Sequence, residues 1–150
     1  MKINKYILGA GALLCMMLPA ASAQAQDVKL KCMEWNIKSF EYDDNSNAVY
    51  FEIAEAMEKI KAENPDIVCF NEFETATGRM SSVEKLTECA QSLGMFPFFV
   101  FSYNKDNGAY GNGILSKYPI VNSASVLLGM YTGADQRSAG WADILVPTDS

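Results

Sequence analysis

Apolar and polar positions alternate between two periods along this chain, and the switches between them outline the fold. Val28, Leu30 and Cys32 alternate with Lys29 and Lys31, and Met33 to Ile37 continues the run, as in a strand buried mainly on one face. The segment Glu41 to Asn47 is polar and reads as a solvated loop. From Ala48 to Asn64 the apolar residues Val49, Ile53, Met57 and Ile60 recur at helical spacing opposite Glu52, Glu55, Lys59 and Glu63. Pro65 ends that helix, and Asn45 to Asn47 offer its N-cap. Ile67 to Phe70 is wholly apolar, the pattern of a strand covered on both faces. Ser81-Ser82-Val83-Glu84 is a capping box for a second helix lined by Val83, Leu86, Ala90 and Leu93, with Gly94 as its stop.

The second part of the chain reads as strands. Phe96 to Tyr103 is an aromatic-rich strand, and the turn Asn104 to Gly108 leads into Asn112 to Ser116 as a hairpin. Tyr118-Pro119 breaks the chain before a strand from Ile120 to Leu128, and Ala139 to Val146 forms the last one. Without interleaved Lys or Arg, the run Phe96 to Phe101 reads as core rather than as a base-stacking platform. No internal repeat is visible.

The N-terminus follows a different logic. Lys2 and Lys5 precede the apolar stretch Tyr6 to Leu18, Pro19 breaks it, and small-x-small sites follow at Ala21-Ser22-Ala23 and Ala23-Gln24-Ala25. Residues 1–25 therefore read as a secretory signal peptide cut before Gln24 or Gln26, too short for a transmembrane segment. The bulky Leu14 before Cys15 argues against a lipoprotein leader. The expected location is secreted or periplasmic, with residues 26–150 as the folded domain.

Composition narrows the chemistry. The chain is 49% hydrophobic and 20% charged, as in an ordinary globular domain. Its net charge is −6, and the leader holds Lys2 and Lys5 but no acid, so the remainder is −8. That balance supplies no basic patch for a phosphate backbone. There are no histidines among the 150 residues, so this stretch holds no Ser-His-Asp triad and no His-ligated zinc. Glu41-Tyr42-Asp43-Asp44 lacks the glycine and terminal glutamate of an EF-hand loop. Cys32, Cys69 and Cys89 are too few for a disulfide framework; Cys69 and Cys89 read as core, with a Cys32–Cys69 bridge between neighbouring strands left open.

Candidate chemistry sits at strand ends. Trp35-Asn36-Ile37 closes the first strand and Asn71-Glu72-Phe73 the second, and residues at the carboxyl ends of neighbouring strands converge on a crevice. A carboxylate and a carboxamide there are hard oxygen donors that suit Mg²⁺, Mn²⁺ or Ca²⁺ rather than zinc or copper. Taken alone, an Asn after a strand caps a turn and a Glu there meets water.

Three ordered blocks carry a resemblance: Leu30 to Ile37, Pro65 to Glu72, and Tyr110 to Ile120 with Gly111-Asn112-Gly113-Ile114-Leu115-Ser116 at its centre. With Gln136-Arg137-Ser138-Ala139-Gly140-Trp141-Ala142, they resemble the endonuclease/exonuclease/phosphatase superfamily of DNase I-like phosphoesterases. The resemblance implies an α/β fold, a DNase I-like four-layer α-β-β-α sandwich, here represented by about its first half. It implies a divalent-metal-dependent phosphoester hydrolase of nuclease, phosphodiesterase or phosphatase type using Mg²⁺, Mn²⁺ or Ca²⁺. Glu72 would be the carboxylate metal ligand with Asn36 beside it, Asn112 would border the substrate phosphate, and Arg137 would orient neighbouring groups. Tyr110 is a weaker candidate, and Asn71 stands where the family most often has Gln. The family's catalytic histidines, a Gly-Asp-x-Asn segment and a Ser-Asp-His ending belong to the second half of the domain. These 150 residues alone are therefore expected to be inactive and to expose apolar strand faces. The acidic balance leans toward a lipid head group or small phosphoester over nucleic acid. A secreted non-catalytic binding module and a non-functional gene fragment are the competing readings.

Overall fold

A computed structural model describes residues 27–44, 47–50, 53–78, 84–129 and 132–147. The proposed signal peptide, the Asn45 end of the expected cap and the Ser81 to Val83 part of the capping box lie outside them. Strand β1 (Cys32–Asn36) is followed by a short 3-10 turn (Lys38–Phe40), β2 (Glu41–Asp44), β3 (Asn47–Tyr50) and helix α1 (Ile53–Glu63). Then come β4 (Ile67–Thr75), α2 (Lys85–Leu93), β5 (Phe96–Lys105), β6 (Gly108–Ser116), β7 (Ile120–Leu127) and β8 (Ser138–Ile144).

The main sheet has the order β1-β4-β6-β5. β1 runs parallel to β4, while β6 is antiparallel to both β4 and β5. The β5–β6 hairpin turns at Asp106-Asn107, whose φ values of 52° and 64° are those that a two-residue hairpin turn demands. One face of the sheet packs on the helices through Val68, Phe70, Phe73 and Leu115 against Ala56, Met57, Ile60, Leu86, Cys89 and Ala90. Gly94 closes α2 in the left-handed conformation with φ 65°.

The second face carries the β7–β8 ribbon. Val100 of β5 is buried away from the helix-side core and lies against Gly140 of β8, and the Ser102 and Ser138 hydroxyls meet at 2.6 Å. Helices, sheet and ribbon thus stack as α, β and β layers, in line with the DNase I-like sandwich. Val121, Val126, Leu127, Trp141 and Leu145 of the ribbon and its exit are exposed. Among the described residues no helix is long and apolar enough to cross a membrane.

Four expectations need correction. The first strand starts at Cys32, not Val28, because its partner β4 begins at Ile67 opposite Cys32, and Val28 and Leu30 stay exposed. Glu41 to Asp44 is not a loop: it pairs antiparallel with Asn47 to Tyr50. Val49, read as the first helical position, belongs to that hairpin, and α1 begins only at Ile53. β4 also continues past Phe70 to Thr75, so Asn71-Glu72-Phe73 lies within a strand rather than closing one.

Candidate functional site

The site is built around an irregularity in β4. Phe70 pairs with Gly113 of β6 and the next pair is Phe73 with Gly111, so β4 carries one extra residue between them. Glu72 absorbs it with a left-handed φ of 55°, the way a bulge re-aims a side chain. Its backbone N–H leaves the ladder and donates to Asn112 Oδ1 at 3.4 Å, while its carbonyl accepts from Ser39 Oγ at 3.2 Å. A bulge thereby joins Glu72 to Asn112 and to the turn after β1.

Register supplies Asn36. Because β1 runs parallel to β4, the end of β1 falls beside the β4 bulge, where Asn36 stands opposite Asn71. The Ile37 N–H continues the pairing to Asn71 O at 3.0 Å. Asn36 is exposed, and its Oδ1 accepts the Lys38 N–H at 3.0 Å, the turn-capping role of an Asn at a strand end. Lys38, Ser39 and Phe40 have φ of 45°, 55° and 60°, a strained left-handed run. Buried Phe40, set edge-on to Phe73 at 5.4 Å, anchors it.

Arg137 and Tyr110 form a second arm. Arg137 is exposed just ahead of β8, and its carbonyl is fixed by Leu128 N–H at 2.9 Å and Gln136 Nε2 at 2.7 Å. Burial pushes the Tyr110 phenol up, the nearby Glu72 carboxylate adds to that, and a hydrogen bond from Arg137 opposes it. Tyr110 therefore lies within electrostatic reach of both residues. Its ring stacks on Tyr103 at 5.1 Å, and Lys105 Nζ sits 5.1 Å from its centroid. Lys105 is in turn held at 2.5 Å by Glu74, a fully buried carboxylate that also accepts from Thr77 Oγ1 at 3.1 Å.

The structure thus brings Asn36, Glu72 and Asn112 to one edge, with Tyr110 under the influence of both the Glu72 and Arg137 charges. Sequence reasoning passed over Ser39, Lys105, Glu74 and Glu34. Glu34 alone had a readable signal: in an alternating strand it shares a face with Asn36. Its Oε1 accepts from Asn71 Nδ2 at 2.8 Å. A cleft of about 260 Å³, lined by Asn71, Asn112, Ser138 and Gly140 among others, opens between the sheet and β8.

The donor set fits a hard divalent cation. Asn36 Oδ1 keeps a lone pair beyond the Lys38 bond, and among the described residues no ion pair engages the Glu72 carboxylate. Among the described residues no group of three or more His, Cys, Asp or Glu side chains is placed so that it could hold a metal ion by itself. One carboxylate with neutral amide oxygens suits Mg²⁺, Mn²⁺ or Ca²⁺, which retain waters, better than the closed nitrogen and sulfur shells of zinc. Cys69 does not compete: burial raises its thiol, and Cys32 and Glu34 raise it further. Among the described residues Cys32, Cys69 and Cys89 are free thiols.

A mixed sheet with helices on one face and a second β layer on the other, with Asn36 ending β1 beside the Glu72 bulge of β4, defines an α/β sandwich scaffold. The Endonuclease/Exonuclease/phosphatase family matches residues 33–149, and the chain belongs to it. Among solved structures it is similar to an endonuclease/exonuclease/phosphatase from Beutenbergia cavernae DSM 12333, with 23% identity and a TM-score of 0.62. That match covers 79% of this chain and 35% of the other, so the chain spans about a third of that protein's length. No curated protein matches the chain.

Proposed function

We propose that the chain is the metal-binding, phosphate-orienting part of a divalent-metal-dependent phosphoester hydrolase. The observation that carries this reading is the β4 bulge, which sets Glu72 beside Asn112 and, across the β1–β4 register, next to Asn36. Glu72 and Asn36 would hold Mg²⁺, or Mn²⁺ or Ca²⁺ in its place. When bound, the ion supplies Lewis acidity toward a phosphoryl oxygen. Asn112 can donate its amide N–H to a second phosphate oxygen while its Oδ1 stays on Glu72 N–H. Arg137, within electrostatic reach of Tyr110, would add a positive charge beside the phosphate.

The chain holds no histidine, so a histidine that moves the proton of the attacking water must come from outside these 150 residues. The acidic balance favours a lipid head group or small phosphoester over bulk nucleic acid. Export follows from the leader, with a product starting at Gln24 or Gln26. The same lack of histidine favours a second reading of this stretch alone, a secreted binding module that takes metal and phosphate without turnover.

The test is a Mn²⁺ titration of the full chain followed by a phosphodiesterase assay with Mg²⁺. Mn²⁺ binding that disappears in Glu72→Gln, without turnover, supports the reading. Undiminished binding in Glu72→Gln removes Glu72 from the site, and turnover above a Glu72→Ala control overturns the expected inactivity.

A further inference from the structure

Asn71 departs from the amide most common in this family, and its environment shows what the shorter side chain does here. It stands directly before the bulge residue Glu72 and opposite Asn36. Its side chain is half-buried, and its Nδ2 donates to Glu34 Oε1 at 2.8 Å, a bond to a charged acceptor. Its carbonyl accepts the Ile37 N–H at 3.0 Å. Glu34 lies two residues before Asn36 on the same face of β1, about 6.6 Å along the strand. Every polar group of Asn71 named here is therefore tied to β1, on both sides of Asn36.

A left-handed residue without a glycine persists only where its surroundings over-determine it. After Glu72 the β6 ladder resumes with Phe73 and the carbonyl is held by Ser39. Before it, the side chain of Asn71 is tethered to Glu34. Without that bond, the extra residue of the bulge can be redistributed toward Asn71, which would turn Glu72 away from Asn112.

We infer that Glu34 is a positioning residue for the Glu72–Asn36 metal site, acting through Asn71 to fix the bulge. This rests on the metal-binding reading of Glu72 and deepens it. In this role Glu34 acts as a hydrogen-bond acceptor from Asn71 Nδ2 rather than as a third ligand.

The experiment compares Glu34→Ala, Glu34→Gln and Glu72→Gln in the full chain, with Mn²⁺ affinity by calorimetry and hydrogen exchange of the Glu72 amide without metal. Outer-shell partners typically change metal affinity by 10–100-fold. For this exposed bond Glu34→Ala should lower Mn²⁺ affinity by about tenfold, the low end of that range, and accelerate exchange at Glu72. Glu34→Gln, whose amide oxygen can still accept from Asn71, should retain both. Loss in Glu34→Gln equal to that in Glu34→Ala would show that charge alone matters and overturn the inference. So would wild-type affinity in Glu34→Ala while Glu72→Gln fails to bind. If Glu72→Gln binds Mn²⁺ normally, the metal reading itself falls. Exchange at Glu72 then decides the Glu34 role: faster in Glu34→Ala supports it, and unchanged overturns it.

Discussion

Gly140 is the point at which the ribbon can be lifted off the sheet. A Cβ built there would lie 2.3 Å from Val100 Cγ2, 2.7 Å from Cγ1 and 3.1 Å from Cβ. Rotating Val100 moves its methyls but not its Cβ, so a rotamer change alone does not clear the 3.1 Å contact. In Gly140→Ala, β8 must retreat by about 1 Å to restore normal carbon contacts. Overpacking of this kind costs about 1–3 kcal/mol. The retreat also stretches the 2.6 Å Ser102–Ser138 bond, worth about 0.5–1.5 kcal/mol. Together the docking of β7–β8 should weaken by about 2–4 kcal/mol. Val100→Ala alone should cost about 1–2 kcal/mol for its lost methyls. In the double variant only the 3.1 Å Cβ contact remains of the clash, so the two changes should couple favourably by about 1 kcal/mol. Urea unfolding gives the free energies, and hydrogen exchange at β7 and β8 amides localises them. Wild-type stability in Gly140→Ala, or strict additivity in the double variant, would refute the reasoning.

Other expectations follow from the site and its supports. Asn36→Ala should weaken Mn²⁺ binding less than Glu72→Gln, because water replaces a neutral ligand, yet cost about 0.5–1.5 kcal/mol in thermal melts by freeing the Lys38 N–H. Glu84 caps α2, and although burial acts to raise its carboxyl, bonds from Thr75 and Thr87 hold it below its ordinary 4.5. Glu84→Ala should therefore cost about 1–2 kcal/mol at neutral pH. Because the folded value is the lower one, that contribution is fully present above pH 4.5 and disappears as pH falls through the folded value, so wild type and variant should converge in acid melts. Burial pushes the Cys89 thiol up to about 12 while Cys32 is exposed, so iodoacetamide at pH 8 should label Cys32 in the folded chain and Cys89 only after unfolding. Early labelling of Cys89 would contradict its place in the core.

The elements that sequence reading located well are those whose signal is local. Gly94 stops α2 because only a left-handed residue fits there, and Asp106-Asn107 turns the β5–β6 hairpin by the same chemistry. Val68 and Phe70 are apolar because they pack under the helices, whereas Ile67 and Cys69 on the other face are only half-buried, so that face is less covered than the wholly apolar run suggests. The misread elements depend on partners distant in sequence or on context that periodicity ignores. Val49 sits at helical spacing from Ile53, yet pairing with Tyr42 decides its conformation. Val28 and Leu30 alternate like a strand but have no partner beyond Ile67. At the site, Asn36 and Glu72 could be named from their blocks, whereas the bulge could not, since Glu72 takes a positive φ without glycine to announce it. The tether from Glu34 to Asn71 becomes visible only once the parallel register is known.

The parallel pairing of β1 with β4 also carries a consequence in time. β5 and β6 are joined by a two-residue turn and close on the hairpin timescale of about 1–10 μs. Cys32 must find Ile67 across an intervening hairpin and helix, a loop whose closure entropy is lost before any contact repays it. Asn112 and Tyr110 stand on a strand whose hairpin partner is its neighbour in sequence, whereas Asn36 meets Asn71, and Glu72 meets Asn112, only across separations of 35 and 40 residues. The edge proposed to hold metal thus depends on two non-local closures. A divalent cation held between Asn36 and Glu72 would reward contacts that local structure does not supply, and should lengthen the lifetime of the folded state more than it hastens folding.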